Sequence, residues 1–329
     1  TLPGPWEWDI KRLAASVIVA GRASRLRPAD CSAASAAAAR SYRERMAQYA
    51  QMGYVALYYA QIDGGTIQAT LSSSNQRKIL RKDVARARSR DNLQALDKLT
   101  AIVNGQVRIK DDPPLVTHVS DPQLGDRARQ VSQHYMETLQ TDRYALLRRY
   151  SFVDAALKVV GVGSVGTRCF IALFSGASHA DPLFLQIKEA HASVLEPYLG
   201  ESTARTHGER VVAGQRIIQA ASDIFLGWGT VSSADYYIRQ LRDMKGVGNI
   251  TEMTASDLLT YAGLCGWALA LAHARSGDAA QIRGYLGTSD TFDLALTAFA
   301  NAYADQTERD HAALVAAVNS GRIAAQTGV

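Results

Sequence analysis

Residues 158–190, KVVGVGSVGTRCFIALFSGASHADPLFLQIKEA, constrain the fold of this chain more than any other stretch. Three apolar runs rich in β-branched and aromatic residues read as strands. A glycine-rich turn, Gly161-Val162-Gly163-Ser164-Val165-Gly166, separates the first two, and the third delivers Lys188 directly after Ile187. Glycines let backbone amides approach an anion closely, and a lysine supplies a compact positive charge. The arrangement predicts a phosphate-gripping site in which Gly161, Gly163, Ser164 and Gly166 cradle phosphates through the backbone and Lys188 neutralises them.

A GxGxxG run has other readings. In a dinucleotide-binding fold it closes a strand and opens a helix. Here Thr167 to Phe174 is strand-like and Gly176 ends it, so a nicotinamide-dependent oxidoreductase fits badly. Strand–turn–strand matches the glycine-rich loop of kinase-like enzymes, whose lysine lies on the third strand. A tight hairpin that binds nothing is the plain alternative, because glycines serve turns far more often than phosphates.

The following segments extend the pattern. Residues 208–222 carry Val211, Val212, Ile217 and Ile218 at spacing compatible with a helix, and Glu209 opens it. Kinase-like folds place a glutamate on a helix after the lysine strand, where it aims the amine at the phosphates. Glu209 is therefore the expected partner of Lys188, with Glu189 and Glu196 as rivals; Glu209 could also simply favour the positive end of its helix. Strands at 224–231 and 236–241 come next, then a polar linker at 242–249 and a long apolar helix. This order is that of a kinase small lobe and its hinge, with backbone near Gln240 to Met244 facing an adenine ring.

The chain divides accordingly into a mostly helical region (1–150), a β-rich, nucleotide-binding-like lobe (151–249) and a helical region (250–329) that completes the helical lobe. The expected class is α+β, with a five-stranded antiparallel small lobe inserted between two mostly helical regions. Within the first region, helices are expected over 9–23, 33–52 (continuing through 53–62), 72–99 and 125–150, with a short strand at 106–110 and a proline-containing loop at 111–122. Within the last, they are expected over 258–275, 292–304 and 310–318. The apolar stretch from Leu258 to Ala272 is too short to span a bilayer, so a core helix and no membrane partner are expected.

With 329 residues, 47% of them hydrophobic, the chain can bury a substantial core. A net charge of +5 suits a phosphate-bearing ligand and is too small to argue for nucleic acid. Arg77, Lys78, Arg81, Lys82, Arg86, Arg88 and Arg90 lack interleaved aromatics and read as a solvated helix face. Cys31, Cys169 and Cys265 show no zinc-like spacing, and their small odd number fits a reducing cytoplasm; Cys169 and Cys265 are expected to be buried thiols. No metal ligands are assigned. The start at Thr1, in the loop-like run TLPGPWEWD, reads as a fragment or a processed product.

His273, Asp278, Asp290, Asp293, Asp305 and Asp310 populate the last region. AHARSGD resembles a piece of a catalytic loop, but no asparagine follows Asp278 at the required spacing. A helix C-terminus with His273 and Arg275 facing its negative end is the competing reading. The catalytic residues remain unassigned.

KVVGVGSVGTRC, DPLFLQIKEA, GQRIIQAASDIFLGW, YYIRQLRDMK, AHARSGD, YADQTERDH and PGPWEWDIKRLAAS together resemble the uncharacterised bacterial family called domain of unknown function 2252, over almost the whole chain. Members of that family resemble one another further in a Gly-Asp-x-His-x-x-Asn-Phe segment and an Asn-Asp-Phe-Asp run just upstream of the PGPWEWD position. Those segments are similar to the catalytic loop and metal-binding acid of aminoglycoside phosphotransferases, and Asp9-Ile10-Lys11-Arg12-Leu13-Ala14 looks like the helix that follows them there. The two resemblances imply a kinase-like fold in permuted order, with ATP and magnesium as cofactors and a hydroxylated small molecule or a protein as acceptor. This chain lacks the upstream acids, so the expectation is a kinase-like phosphotransferase without its catalytic loop. The alternative is a non-catalytic nucleotide-binding or scaffold protein on the same fold.

Overall fold

The computed structural model describes residues 2–325 except 72–76, 78–80, 82–84, 86–95, 97, 104, 119–130, 132, 160, 162–165, 179–180 and 242–249. It is a mixed α+β fold with one two-stranded and one six-stranded sheet, both antiparallel between paired neighbours.

The first helices are α1 (Trp6–Ala23), α2 (Pro28–Tyr49), α3 (Tyr54–Tyr59) and α4 (Gly64–Thr70). The expected continuation of α2 through 53–62 is broken: the chain leaves the helix after Tyr49 and restarts after the extended Gly53. The small hairpin β1 (Thr100–Val103) and β2 (Gln106–Ile109) comes next. Only β2 was legible from sequence. The expected helix at 72–99 and most of its basic run lie outside the described residues, as does the start of the one at 125–150. Helical residues 131 and 133–137 and α5 (Thr141–Leu147) represent its remainder.

The large sheet runs β3–β4–β5–β6–β8–β7 across its width. Its strands are β3 (Val116–Thr117), β4 (Ser151–Lys158), β5 (Cys169–Ser175), β6 (Pro182–Ala190), β7 (Gly227–Val231) and β8 (Ala234–Gln240). The expected five-stranded sheet is corrected to six strands, because the two-residue β3 pairs with β4 and adds an edge. Between β6 and β7 lie a single turn, α6 (Glu196–Leu199), and α7 (His207–Ile218), which packs on β7 and β8.

Side chains alternate between faces along each strand. On one face Leu183, Leu185, Tyr236 and Ile238 meet Val131 and Tyr135 from the preceding helical segment and Leu139 from the bend after it. On the other, Ile171, Leu173, Phe184 and Leu241 meet Leu99 and Ile109 beneath the small hairpin.

The last region contains α8 (Ala255–Ser276), α9 (Ala279–Leu286) and α10 (Thr291–Asn319). α9 was not expected, and the two expected helices at 292–304 and 310–318 are one 29-residue helix. α8 has 22 residues, long and apolar enough to cross a bilayer by length and composition, which corrects the expectation that it is too short. Its packing is that of a core helix. Leu258, Ala262, Gly266, Trp267, Ala270, Leu271, His273 and Ala274 are buried, and α8 packs along α2 more extensively than any other pair of described elements. Cys31 and Cys169 are buried, whereas Cys265 on α8 is only half-buried.

The small hairpin is tied to the large sheet by charge. Asp154 of β4, 6% exposed, accepts from Arg108 Nε at 3.0 Å, from the Ile109 N–H at 2.8 Å and from His118 Nε2 at 3.0 Å. His118 Nδ1 lies 2.8 Å from Asp111 Oδ1. Burial works against a charged His118, but its hydrogen bonds to Asp154 and Asp111 outweigh that and raise its pKa above 6.5. Desolvation opposes ionisation of Asp154, yet hydrogen bonds from His118, Ile109 and Arg108 hold its pKa below 3.8. The raised imidazole stabilises the fold fully below pH 6.5 and less as pH climbs through its folded value, while the carboxylate's contribution is lost only in acid. The melting temperature of the native chain should therefore exceed that of His118→Gln most near pH 6. The gap should narrow by pH 8.5; one that stays constant would remove the imidazolium from the account.

Candidate functional site

The glycine turn joins β4 to β5. Gly161 has φ +108° and Gly166 φ +80°, backbone conformations that side-chain-bearing residues rarely adopt, so both ends of the turn need glycine. Gly163 and Ser164 lie outside the described residues.

Register determines what lies beside the turn. Lys188 pairs with Cys169 on β5 and with Tyr237 on β8, so the three side chains share a face. Gln186, two residues back on that face, pairs with Arg239. Lys158, the last residue of β4, stands one position beyond the Leu157–Phe170 pair and therefore beside Cys169. Lys158, Lys188 and Arg239 thus form a cationic row on the sheet face that also carries the hairpin-covered apolar cluster. Burial pushes the Cys169 thiol up, while Lys188, Arg239 and Lys158 pull it back, which indicates that all three charges are close to it. Burial likewise raises Tyr237, and Arg239 partly offsets the rise.

No carboxylate neutralises Lys188 among the described residues. The expected Glu209 partnership is not formed: Glu209 Oε2 accepts the Arg205 N–H at 2.9 Å and its own N–H donates to Thr206 Oγ1 at 3.1 Å, so it closes the first turn of α7. Glu189 points to the opposite face, where Arg168 grips it through Nη2 at 2.6 Å and Nε at 3.0 Å; that hydrogen bonding draws its pKa down to about 2. Glu196 accepts the Ser193 N–H and lies 3.8 Å from Arg210. Arg239 donates to the neutral Gln186 Oε1 at 3.1 and 3.2 Å. Lys188 and Arg239, neither paired with a carboxylate among the described residues, thus put positive charge on one face of the sheet, able to hold a phosphate-bearing anion.

Magnesium fits less well. Asp154, the acid on this face, is spent on Arg108, Ile109 and His118. Among the described residues, no cluster of three His, Cys, Asp or Glu side chains could hold a metal ion. The expected hinge is also partly occupied: the Gln240 N–H donates to Asp223 at 2.5 Å and the Leu241 N–H to Phe184 O at 2.9 Å, while 242–249 lie outside the described residues.

The acidic candidates of the last region are engaged in helix caps, ion pairs and hydrogen bonds. Asp278 caps α9, accepting from the N–H groups of Ala280 and Gln281, and Asp290 occupies the cap position of α10. Asp293, 2% exposed, is paired with Arg43 at 2.8 Å, Asp305 with Arg22 at 2.7 Å, and Asp310 accepts from Gln306. AHARSGD is a helix end followed by the next helix's cap. Its His273 bridges α2 and α1: Nδ1 is 2.8 Å from the Tyr42 hydroxyl and Nε2 3.2 Å from Asp9 Oδ2. Trp6 stacks on Tyr42, so both Trp6 and Asp9 of PGPWEWD lock α1 into the helical core.

Lys158 and Arg239 were missed by sequence reasoning. Strand alternation with Tyr237 was the available signal for Arg239, and the position of Lys158 at the mouth of the turn was the signal for Lys158.

A bacterial family described as an uncharacterised protein conserved in bacteria (DUF2252) matches residues 1–317. No curated protein and no solved structure gives a match.

Proposed function

The chain belongs to this conserved bacterial family, and from its geometry we propose that the 151–241 sheet is a kinase-like nucleotide-binding lobe whose cationic row holds the phosphates of ATP. The observation that carries this reading is Lys188, half-buried and without a carboxylate partner among the described residues, sharing a sheet face with Lys158 and Arg239 beside the Gly161–Gly166 turn. The connectivity supports it. Leaving aside the two-residue edge β3, the glycine turn joins the first two strands, the lysine is on the third, and a helix precedes the fourth. In this reading Gly161, Gly163, Ser164 and Gly166 approach the phosphates by backbone, and Lys188, with Lys158 and Arg239, balances their charge. Phosphoryl transfer needs acids to orient an acceptor and hold magnesium, and the described residues supply none in position, so that step is assigned to no residue here.

The second reading is a nucleotide-binding or scaffold protein without catalysis. The commitment of Glu209 to its own helix favours it, because the ion pair expected of an active lobe is not formed. Calorimetric titration of ATP into the native chain and Lys188→Ala tests the shared premise: no heat from the native chain, or equal affinity for both, would refute it.

A further inference from the structure

A second cationic cleft, sharing no lining residue with the row around Lys188, lies where α5, α7, α8 and the 219–224 segment meet. It encloses about 280 Å³, and Arg143, Arg216 and Arg275 line it together with Gln140, Ser222 and Asp223. The three guanidinium groups come from three different helices: Arg143 from α5, Arg216 from α7 and Arg275 from α8.

Their charge is poorly balanced. Among the described residues Asp223 is the one acid in the lining, and its two oxygens accept the N–H groups of Phe225 at 2.8 Å and Gln240 at 2.5 Å. Arg216 donates to Leu226 O at 2.5 Å and lies over the Trp228 ring; it has no carboxylate partner among the described residues. Burial lowers its pKa, as expected of a cation that nothing nearby compensates. Arg275 is held by three carbonyls, those of Ile217, Tyr58 and Gln219, and likewise pairs with no carboxylate among the described residues. Among the described residues, Arg143 is paired with its neighbour Asp142 alone, at 3.3 Å. Carbonyl contacts orient a guanidinium and leave its charge intact, so three arginines against Asp223 in the lining and Asp142 beside Arg143 leave the cleft with a surplus of one positive charge. Planar forks converging from three helices suit the oxygens of a tetrahedral dianion.

We propose that this cleft binds the phosphoryl group of a small phosphorylated molecule, with Arg143, Arg216 and Arg275 as its ligands. The volume fits a compact phosphate ester and not a macromolecule. Inorganic phosphate is the probe. Calorimetry should detect saturable binding to the native chain that Arg143→Gln and Arg216→Gln each weaken at least about tenfold, the loss expected for one charge-assisted contact. Arg275 is left alone because its three carbonyl contacts join segments of the fold. Because the row around Lys188 would itself take phosphate under the nucleotide reading, Lys188→Ala should remove only a second, independent binding event and leave intact the one that Arg143→Gln and Arg216→Gln weaken, which separates failure here from failure of the nucleotide reading. Absence of phosphate binding to the native chain would overturn the proposal. So would phosphate binding abolished by Lys188→Ala and untouched by Arg143→Gln.

Discussion

Lys188→Ala is expected to weaken ATP binding by about 10- to 100-fold, because a charge-assisted contact contributes roughly 1.5–3 kcal/mol and each 1.4 kcal/mol is a factor of ten. The effect should be large because no carboxylate on the described face neutralises the amine, so a bound phosphate takes the place of an internal partner. The fold should tolerate the change: Lys188 is half-buried and makes no ion pair among the described residues that alanine would break. Glu209→Gln is the informative control. Its carboxylate serves the start of α7, so the variant should melt slightly earlier and bind ATP with unchanged affinity. If Glu209→Gln matched Lys188→Ala in lost affinity, the two side chains would have to meet in the bound state.

The largest stability effect is expected at Gly266, where α8 crosses α2. A Cβ at this position would lie 2.1 Å from the carbonyl oxygen of Ala38 and 3.0 Å from its carbonyl carbon, both backbone atoms that cannot rotate away. Around the crossing, Ala34, Ala38 and Ala262 are fully buried. Alanine gains about 1 kcal/mol over glycine in a helix interior, so any loss from Gly266→Ala appears in spite of propensity. The helices would have to separate and unpack that alanine seam. Gly266→Leu should cost about 3 kcal/mol or more, read as a fall in the urea midpoint, with Gly266→Ala between it and the native chain. An unchanged midpoint for Gly266→Leu would mean that the helices do not cross this closely.

Much of this architecture could be read from local pattern. The runs around Phe170, Phe184 and Tyr237 are apolar, branched and bounded by turn residues, so β5, β6 and β8 were evident within a few residues. Glycines 161 and 166 were evident for the same reason, since positive φ is a local demand. β1 was not evident, because four residues after a charged stretch carry too little pattern to stand out. The break expected between Ala304 and Asp310 did not occur: Asp305, Gln306, Glu308 and Arg309 are exposed positions of one continuous α10.

The site was only half legible, and the missing half is non-local. Lys188 was found because it ends an apolar run. Lys158 and Arg239 reach it only through register, Lys188 with Cys169 and Tyr237, and Gln186 with Arg239. Glu209 misled because it lies at a plausible distance along the chain, whereas its nearest unsatisfied donors were those of its own helix start. The three-arginine cleft joins segments that chain order keeps far apart, and no local motif announced it.

Covalent labelling with a lysine-reactive acyl phosphate of ATP, read by peptide mass spectrometry, tests the central claim most directly. The label should fall on Lys188, with Lys158, two strands away on the same face, as the secondary site, and excess ATP should suppress it in the native chain. Labelling confined to lysines away from this face, or labelling of Lys188 that excess ATP leaves unchanged, would contradict a phosphate site on the cationic row.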